Sequence, residues 1–147
     1  MDVLTVDQRR RCMASIKARN TKPEVLLRKA LFALGLRYRL HDRGLPGTPD
    51  LVFPRYRAVV FIHGCFWHGH ECNLFVTPGT NTEFWVAKIG GNKSRDEKAN
   101  VALRDLGWRV MTVWECALRG PRKPALDALA RKVARWLGGR RRLGELP

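Results

Sequence analysis

Apolar positions along the chain change period several times, and each change marks an element. Val25, Leu27, Leu31 and Leu34 recur at helical spacing directly after Thr21-x-x-Glu24, a capping box that satisfies the first turn of a helix. Gly35 then supplies the stop. Residues 36–41 are a strand candidate, followed by a Gly/Pro loop over 43–48. Two apolar runs, 50–53 and 58–63, flank a short turn at Pro54-Arg55, which is the pattern of a hairpin. Residues 64–82 form a long, partly irregular segment, and loops of that length inside a compact domain are usually functional. A short helix is expected over 83–89. After Gly90-Gly91 a second is expected over 93–106, with Ala99, Ala102, Leu103 and Leu106 on one face and Gly107 as its stop. Residues 108–114 read as a strand, apolar except for Arg109 and Thr112. Leu126, Leu129, Val133 and Trp136 place a last helix over 124–137. The order helix, strand, hairpin, helix, strand, helix predicts an α/β domain with a mixed sheet.

Composition changes that picture at the two ends. The length of 147 residues suits one domain. Residues 1–20 are basic and weakly amphipathic, with Arg9, Arg10, Arg11, Lys17 and Arg19 punctuated by Met13 and Ile16. They read either as a helix that orders against DNA or as a solvated arm. The core domain then runs over 21–137, and 138–147, with Arg140-Arg141-Arg142, is expected to be a mobile basic tail. A net charge of +15 favours a polyanionic partner, nucleic acid ahead of an anionic membrane surface. No apolar run approaches the ~20 residues of a bilayer span, and the polar start lacks the apolar stretch of a signal peptide. A cytosolic setting, with reduced thiols, is the expectation.

The chemistry concentrates in His63-Gly64-Cys65-Phe66-Trp67-His68-Gly69-His70-Glu71-Cys72. Imidazole and thiolate are the preferred side-chain ligands of zinc, so Cys65, His70 and Cys72 are candidates to share one ion. The fourth ligand is Cys116, just past a strand end, or alternatively Cys12; the structural alternative is a set of buried thiols. Asp50 opens a strand after a Gly/Pro loop, where its carboxylate suits Mg²⁺ beside a phosphate, although an Asp there is also a common turn former. Glu24 similarly serves either an acidic site or its capping box. His63 and His68 are candidates to activate a water; each is otherwise a further zinc ligand or a satisfied polar residue. Phe66 and Trp67 follow no core periodicity and suit base stacking or wedging, and Trp85 fits either role. Trp108, Trp114 and Trp136 follow strand or helix periodicity and read as core.

These segments resemble the very-short-patch repair (Vsr) mismatch endonucleases. The resemblance rests on Phe61 through Cys72, on Thr82-Glu83-Phe84-Trp85 with Lys88-Ile89-Gly90, and on Gly107-Trp108-Arg109-Val110 through Val113-Trp114-Glu115-Cys116-Ala117-Leu118-Arg119-Gly120. Leu45-Pro46-Gly47, Pro49-Asp50 and Met13-x-x-Ile16 fit as well, so the likeness spans residues 7 to 137. It implies a restriction-endonuclease-like fold and Mg²⁺-dependent nicking of duplex DNA 5′ to the T of a T·G mismatch, the product of 5-methylcytosine deamination. By position it implies that Asp50 and the Ile62 carbonyl hold Mg²⁺, that His68 is the general base, that His63 pairs with Asp96, and that Glu24 supports the site. Cys65, His70, Cys72 and Cys116 would bind structural zinc. Phe66, Trp67 and Trp85 would form a wedge beside the mismatch, with Met13, Lys17 and Arg19 in an N-terminal clamp. The implied partner is double-stranded DNA bearing a T·G mismatch, with other mismatch-repair proteins as candidates, and the implied location is cytoplasmic and nucleoid-associated. A monomer is expected, because one nick needs one active site.

Two departures stand out. Phe61-Ile62-His63 lacks the acidic residue and Lys that the usual nuclease core of this fold carries on the strand after its first Asp, a departure the repair family shares. Gly69 stands where the family has another histidine. A zinc-stabilised nucleic-acid-binding module without catalysis is the first rival, although it has no need of Asp50, His63 and His68. A related nuclease with another DNA substrate is the second.

Overall fold

The computed structural model describes residues 21–65, 67–70, 79–119 and 123–146. Met13, Lys17, Arg19, Phe66 and Cys72, with the whole basic arm, lie outside the described residues. The described chain is a mixed α/β fold. One five-stranded sheet in the order β1-β2-β3-β4-β5 (Arg39–Leu40, Leu51–Phe53, Ala58–His63, Arg109–Trp114 and Leu143–Leu146) is joined by three α-helices, α1 (Lys22–Ala33), α2 (Thr82–Asp105) and α3 (Leu126–Leu137). The pairs β1–β2 and β2–β3 are antiparallel, and β3–β4 and β4–β5 are parallel. Parallel pairing needs a long crossover, and α2 and α3 supply the two that are required.

Each face of the sheet follows from the two-residue alternation of its strands. Leu51, Phe53, Ala58, Val60, Met111 and Val113 point to the face covered by Leu27 and Leu31 of α1 and by Leu129, Val133 and Trp136 of α3. Val52, Val59, Phe61 and Val110 point to the other face, where Leu103 near the C-terminal end of α2 covers them. One face thus carries two helices and the other only one. The half-covered face is open at the C-terminal ends of β3 and β4, where the chemistry-bearing residues gather.

The Thr21 hydroxyl caps α1, accepting from the Glu24 N–H at 3.4 Å. The expected strand over 36–41 is shorter, because the Leu36 N–H still bonds the Leu31 carbonyl of α1 and His41 turns into the left-handed region (φ 48). The two helices expected around Gly90-Gly91 are one 24-residue helix. Glycine costs about 1 kcal/mol per helical position without removing a backbone donor or acceptor. Buried Ile89 and a bond from Asn92 Nδ2 to the Trp67 carbonyl (2.7 Å) hold this stretch in place.

The tail expected to be mobile is corrected in part: Leu143–Leu146 pairs with β4 as the edge strand β5. Arg109 makes this possible. Its guanidinium donates to the carbonyls of Trp136, Leu137 and Arg141, so it ties the end of α3 to the turn that follows. Gly144 is the other requirement. A Cβ there would sit 2.8 Å from Met111 Cε and 2.9 Å from Trp136 Nε1, so only glycine lets β5 pass under the indole.

Candidate active site and metal centre

An open cavity of about 940 Å³ lies on the half-covered face, between α2 and the 42–48 loop, over the ends of β3 and β4. Asp50, Ile62, His63, His68 and Asp96 all line it, so the fold brings together residues from four segments far apart in sequence.

At one end, Asp50 enters β2. Its Oδ2 accepts from the Ile62 N–H at 2.7 Å, and its backbone carbonyl accepts from the His41 N–H at 3.1 Å. Glu24 is 2% exposed, and its carboxylate accepts from Arg28 Nη1 at 2.7 Å and meets His41 Nε2 at 2.9 and 3.0 Å. The ligand atoms of Glu24, His41 and Asp50 lie within 4.8 Å of one another. Burial pushes the Asp50 carboxyl up to about 7, against the Ile62 N–H and with the help of the adjoining Glu24, with which it shares a hydrogen bond. Two buried carboxyl groups side by side disfavour full ionisation of both, and a hard divalent cation relieves that repulsion. Glu24 therefore does more than open a helix: its backbone is capped while its side chain faces the site.

In the centre, His63 at the end of β3 stacks face to face on His68, with ring centroids 3.9 Å apart and planes 5° from parallel. His68 Nδ1 meets Asp96 Oδ2 at 2.5 Å, whereas His63 Nδ1 lies 4.0 Å from the same oxygen. Asp96 thus faces both imidazoles, His63 as the resemblance implied and His68 more closely. Burial, with the neighbouring His68, lowers His63 to about 3 and keeps it neutral, Asp96 opposing the shift.

Beyond β3 the chain turns back on itself. The His68 N–H donates to the Gly64 carbonyl and the His70 N–H to the Cys65 carbonyl. That turn sets Cys65 and His70 against Cys116, which follows β4: the three ligand atoms lie within 4.8 Å of one another. Cys116 Sγ is 3.6 Å from His70 Nδ1, and the Cys116 N–H donates to Cys65 Sγ. Trp114 stacks on His70 at 4.2 Å instead of joining the core. Three soft ligands converging from two segments form a candidate metal-binding group, and Cys72, the fourth expected ligand, lies outside the described residues.

Gly69 has a physical reason. It sits at φ 65, and a Cβ there would come within 2.7 Å of Ile89 Cγ2 and 3.0 Å of Lys93 Cε, so a histidine would be strained and would have to displace Ile89. Trp67 and Trp85 meet edge to face at 5.6 Å, with Lys88 Nζ 5.6 and 5.9 Å from the two ring centres. Phe84 beside them is 57% exposed. Together they form an aromatic ridge next to the cavity.

His41 was missed by the sequence reading. The signal was present: Leu40 pairs with Leu51, so the next pair outward is His41 opposite Asp50. Among the described helices none is long and apolar enough to cross a membrane.

A family model described as DNA mismatch endonuclease Vsr matches residues 1–74. The DNA mismatch endonuclease Vsr of Escherichia coli (strain K12) is 47% identical over 138 residues, covering 94% of this chain and 88% of that protein. The type II nicking enzyme V.XorIIP of Xanthomonas oryzae pv. oryzae is 46% identical over 132 residues, with 90% and 96% covered. The type II nicking enzyme V.HpaIIP of Haemophilus parainfluenzae is 47% identical over 130 residues, with 86% and 92% covered.

Proposed function

The chain belongs to the DNA mismatch endonuclease Vsr family and is a DNA endonuclease of mismatch repair, and from that premise we propose that it nicks duplex DNA 5′ to the T of a T·G mismatch. The observation that carries the proposal is the convergence, at one open cavity, of Asp50 backed by the buried Glu24 and of a His–Asp dyad, beside an aromatic ridge. A binding module has no use for the first two. The mixed five-stranded sheet, with Asp50 entering its second strand, suits a restriction-endonuclease-like core.

In this reading the Asp50 carboxylate and the Ile62 carbonyl would hold Mg²⁺, with Glu24 beside them; the Ile62 N–H already faces Asp50, and the carbonyl of a strand residue projects to the same edge. An ion held there would supply stabilisation of the charge that builds on the phosphate oxygens. His68 donates Nδ1–H to Asp96, which leaves its Nε2 lone pair to take the proton of a water attacking phosphorus as the P–O bond breaks. His63, neutral and stacked on His68, fixes the plane of that ring. Lys93, Arg95 and Arg43 line the cavity and supply positive charge for the phosphates on either side.

Zinc suits the Cys65, His70 and Cys116 set, completed by Cys72, and would staple the turn after β3 to the end of β4. Trp67 and Trp85, with Phe66, enter the duplex beside the mismatch. Unstacking a base step costs about a few kcal/mol, and less where pairing is already weak, so a wedge selects by deformability. The N-terminal residues Met13, Lys17 and Arg19 complete the grip. Labelled duplexes carrying T·G or T·A at one position, with and without Mg²⁺, test the proposal. Cleavage confined to the T·G strand and dependent on Mg²⁺ supports it; equal cleavage of both duplexes, or binding without cleavage, refutes it.

A further inference from the structure

One side chain in the carboxyl cluster has no part in the reaction so far described. His41 directly follows β1 in the left-handed backbone region (φ 48), which an L residue with a Cβ adopts at a cost and which glycine adopts freely. What the histidine adds over glycine at this position is its side chain. That side chain is only 10% exposed, and its Nε2 lies 2.9 and 3.0 Å from the two oxygens of Glu24. Arg28 donates to the same carboxylate at 2.7 Å, which leaves His41 Nε2 the donor role as well. The His41 backbone N–H meanwhile donates to the Asp50 carbonyl at 3.1 Å. One residue therefore grips both acidic residues, Glu24 through its ring and the strand of Asp50 through its amide.

From this geometry we infer that His41 is a positioning residue for the divalent cation: it holds the Glu24 carboxylate, carried by α1, beside the Asp50 carboxylate, carried by β2, so that one ion meets both. The ring is not itself a ligand, because the nitrogen on the cluster side is committed to Glu24. The inference rests on the proposed cation site at Asp50, and it extends that site from one carboxylate to an oriented pair. Losing a partner that orients a metal ligand from behind typically weakens metal binding by about 10–100-fold.

The test uses Mn²⁺, which takes the same oxygen ligands as Mg²⁺ and whose free concentration is read by electron paramagnetic resonance. The full-length, zinc-loaded protein is titrated without DNA. His41→Asn tolerates the left-handed backbone and is too short to reach Glu24, so it removes the contact without adding strain. His41→Gln places an amide donor near the position of Nε2. The expected result is a loss of Mn²⁺ affinity of about 10–100-fold in His41→Asn and recovery toward the wild-type value in His41→Gln. A purely structural tie between α1 and β1 would instead lower the unfolding midpoint and leave Mn²⁺ affinity unchanged. Wild-type affinity in His41→Asn, with binding still abolished by Asp50→Asn, overturns the role of His41 alone. Binding that is indifferent to Asp50→Asn overturns the cation site and this inference with it.

Discussion

His68 Nδ1 and Asp96 Oδ2 form a 2.5 Å hydrogen bond that ties the turn after β3 to the middle of α2. The bond fixes both the tautomer and the plane of the imidazole. Asp96→Asn keeps the shape but can present its amide donor to Nδ1 and so reverse the tautomer. Single-turnover nicking of a T·G duplex is expected to fall by about 10²–10⁴-fold, with duplex affinity nearly unchanged. A rate within threefold of wild type would remove the dyad from the chemistry.

The raised Asp50 carboxyl has a consequence for stability. Its proton is held more tightly in the folded state, so the stabilisation is fully present below the ordinary value of 3.8 and disappears as pH rises through about 7. Without Mg²⁺, the unfolding midpoint is expected to decline across that window by on the order of a few degrees from this group. Asp50→Asn is expected to flatten the decline and to be the more stable protein at neutral pH, with nicking lost. Calorimetric scans of both proteins across the window, with and without Mg²⁺, measure the effect; parallel curves for the two would contradict it.

Trp67 and Trp85 pack on each other, and neither belongs to a core cluster. Replacing either by Ala is expected to reduce the preference for T·G over T·A binding by ~1–3 kcal/mol while leaving the unfolding midpoint almost unmoved. Competition binding with the two duplexes reads the difference. An unaltered preference would assign the rings to a structural role.

Cys116 is the ligand candidate that joins β4 to the Cys65–His70 turn. Cys116→Ser is expected to lose zinc on dialysis against a chelator that leaves the wild type loaded, and to lose more than about 3 kcal/mol of stability. Zinc stoichiometry by atomic absorption decides: full retention in the variant would exclude Cys116 from the centre.

The strands of the sheet interior were legible because burial on both faces leaves unbroken apolar runs, as in Ala58–His63. So was Cys116, since a residue just past a strand end returns to the edge where the neighbouring strand also ends. Two kinds of feature were not legible. Leu143-Gly-Glu-Leu146 has too few β-formers to announce a strand; it pairs because Arg109 directs the chain and Gly144 fits beneath Trp136. His41 looked like an ordinary polar strand end, because its role depends on Glu24 arriving from a helix seventeen positions earlier in the chain. Gly90-Gly91 misled in the other direction: glycine weakens a helix that has few anchors, and this one is anchored on both sides of the pair.

That uninterrupted helix carries both a ring of the aromatic ridge and a carboxylate of the cavity. Trp85 and Asp96 stand eleven positions apart on one rod, about 16 Å along its axis. The helix therefore sets the separation between the indole and the carboxylate, and through the carboxylate it sets the place of the His68 ring, so no second element is needed to space the aromatic ridge from the His–Asp pair.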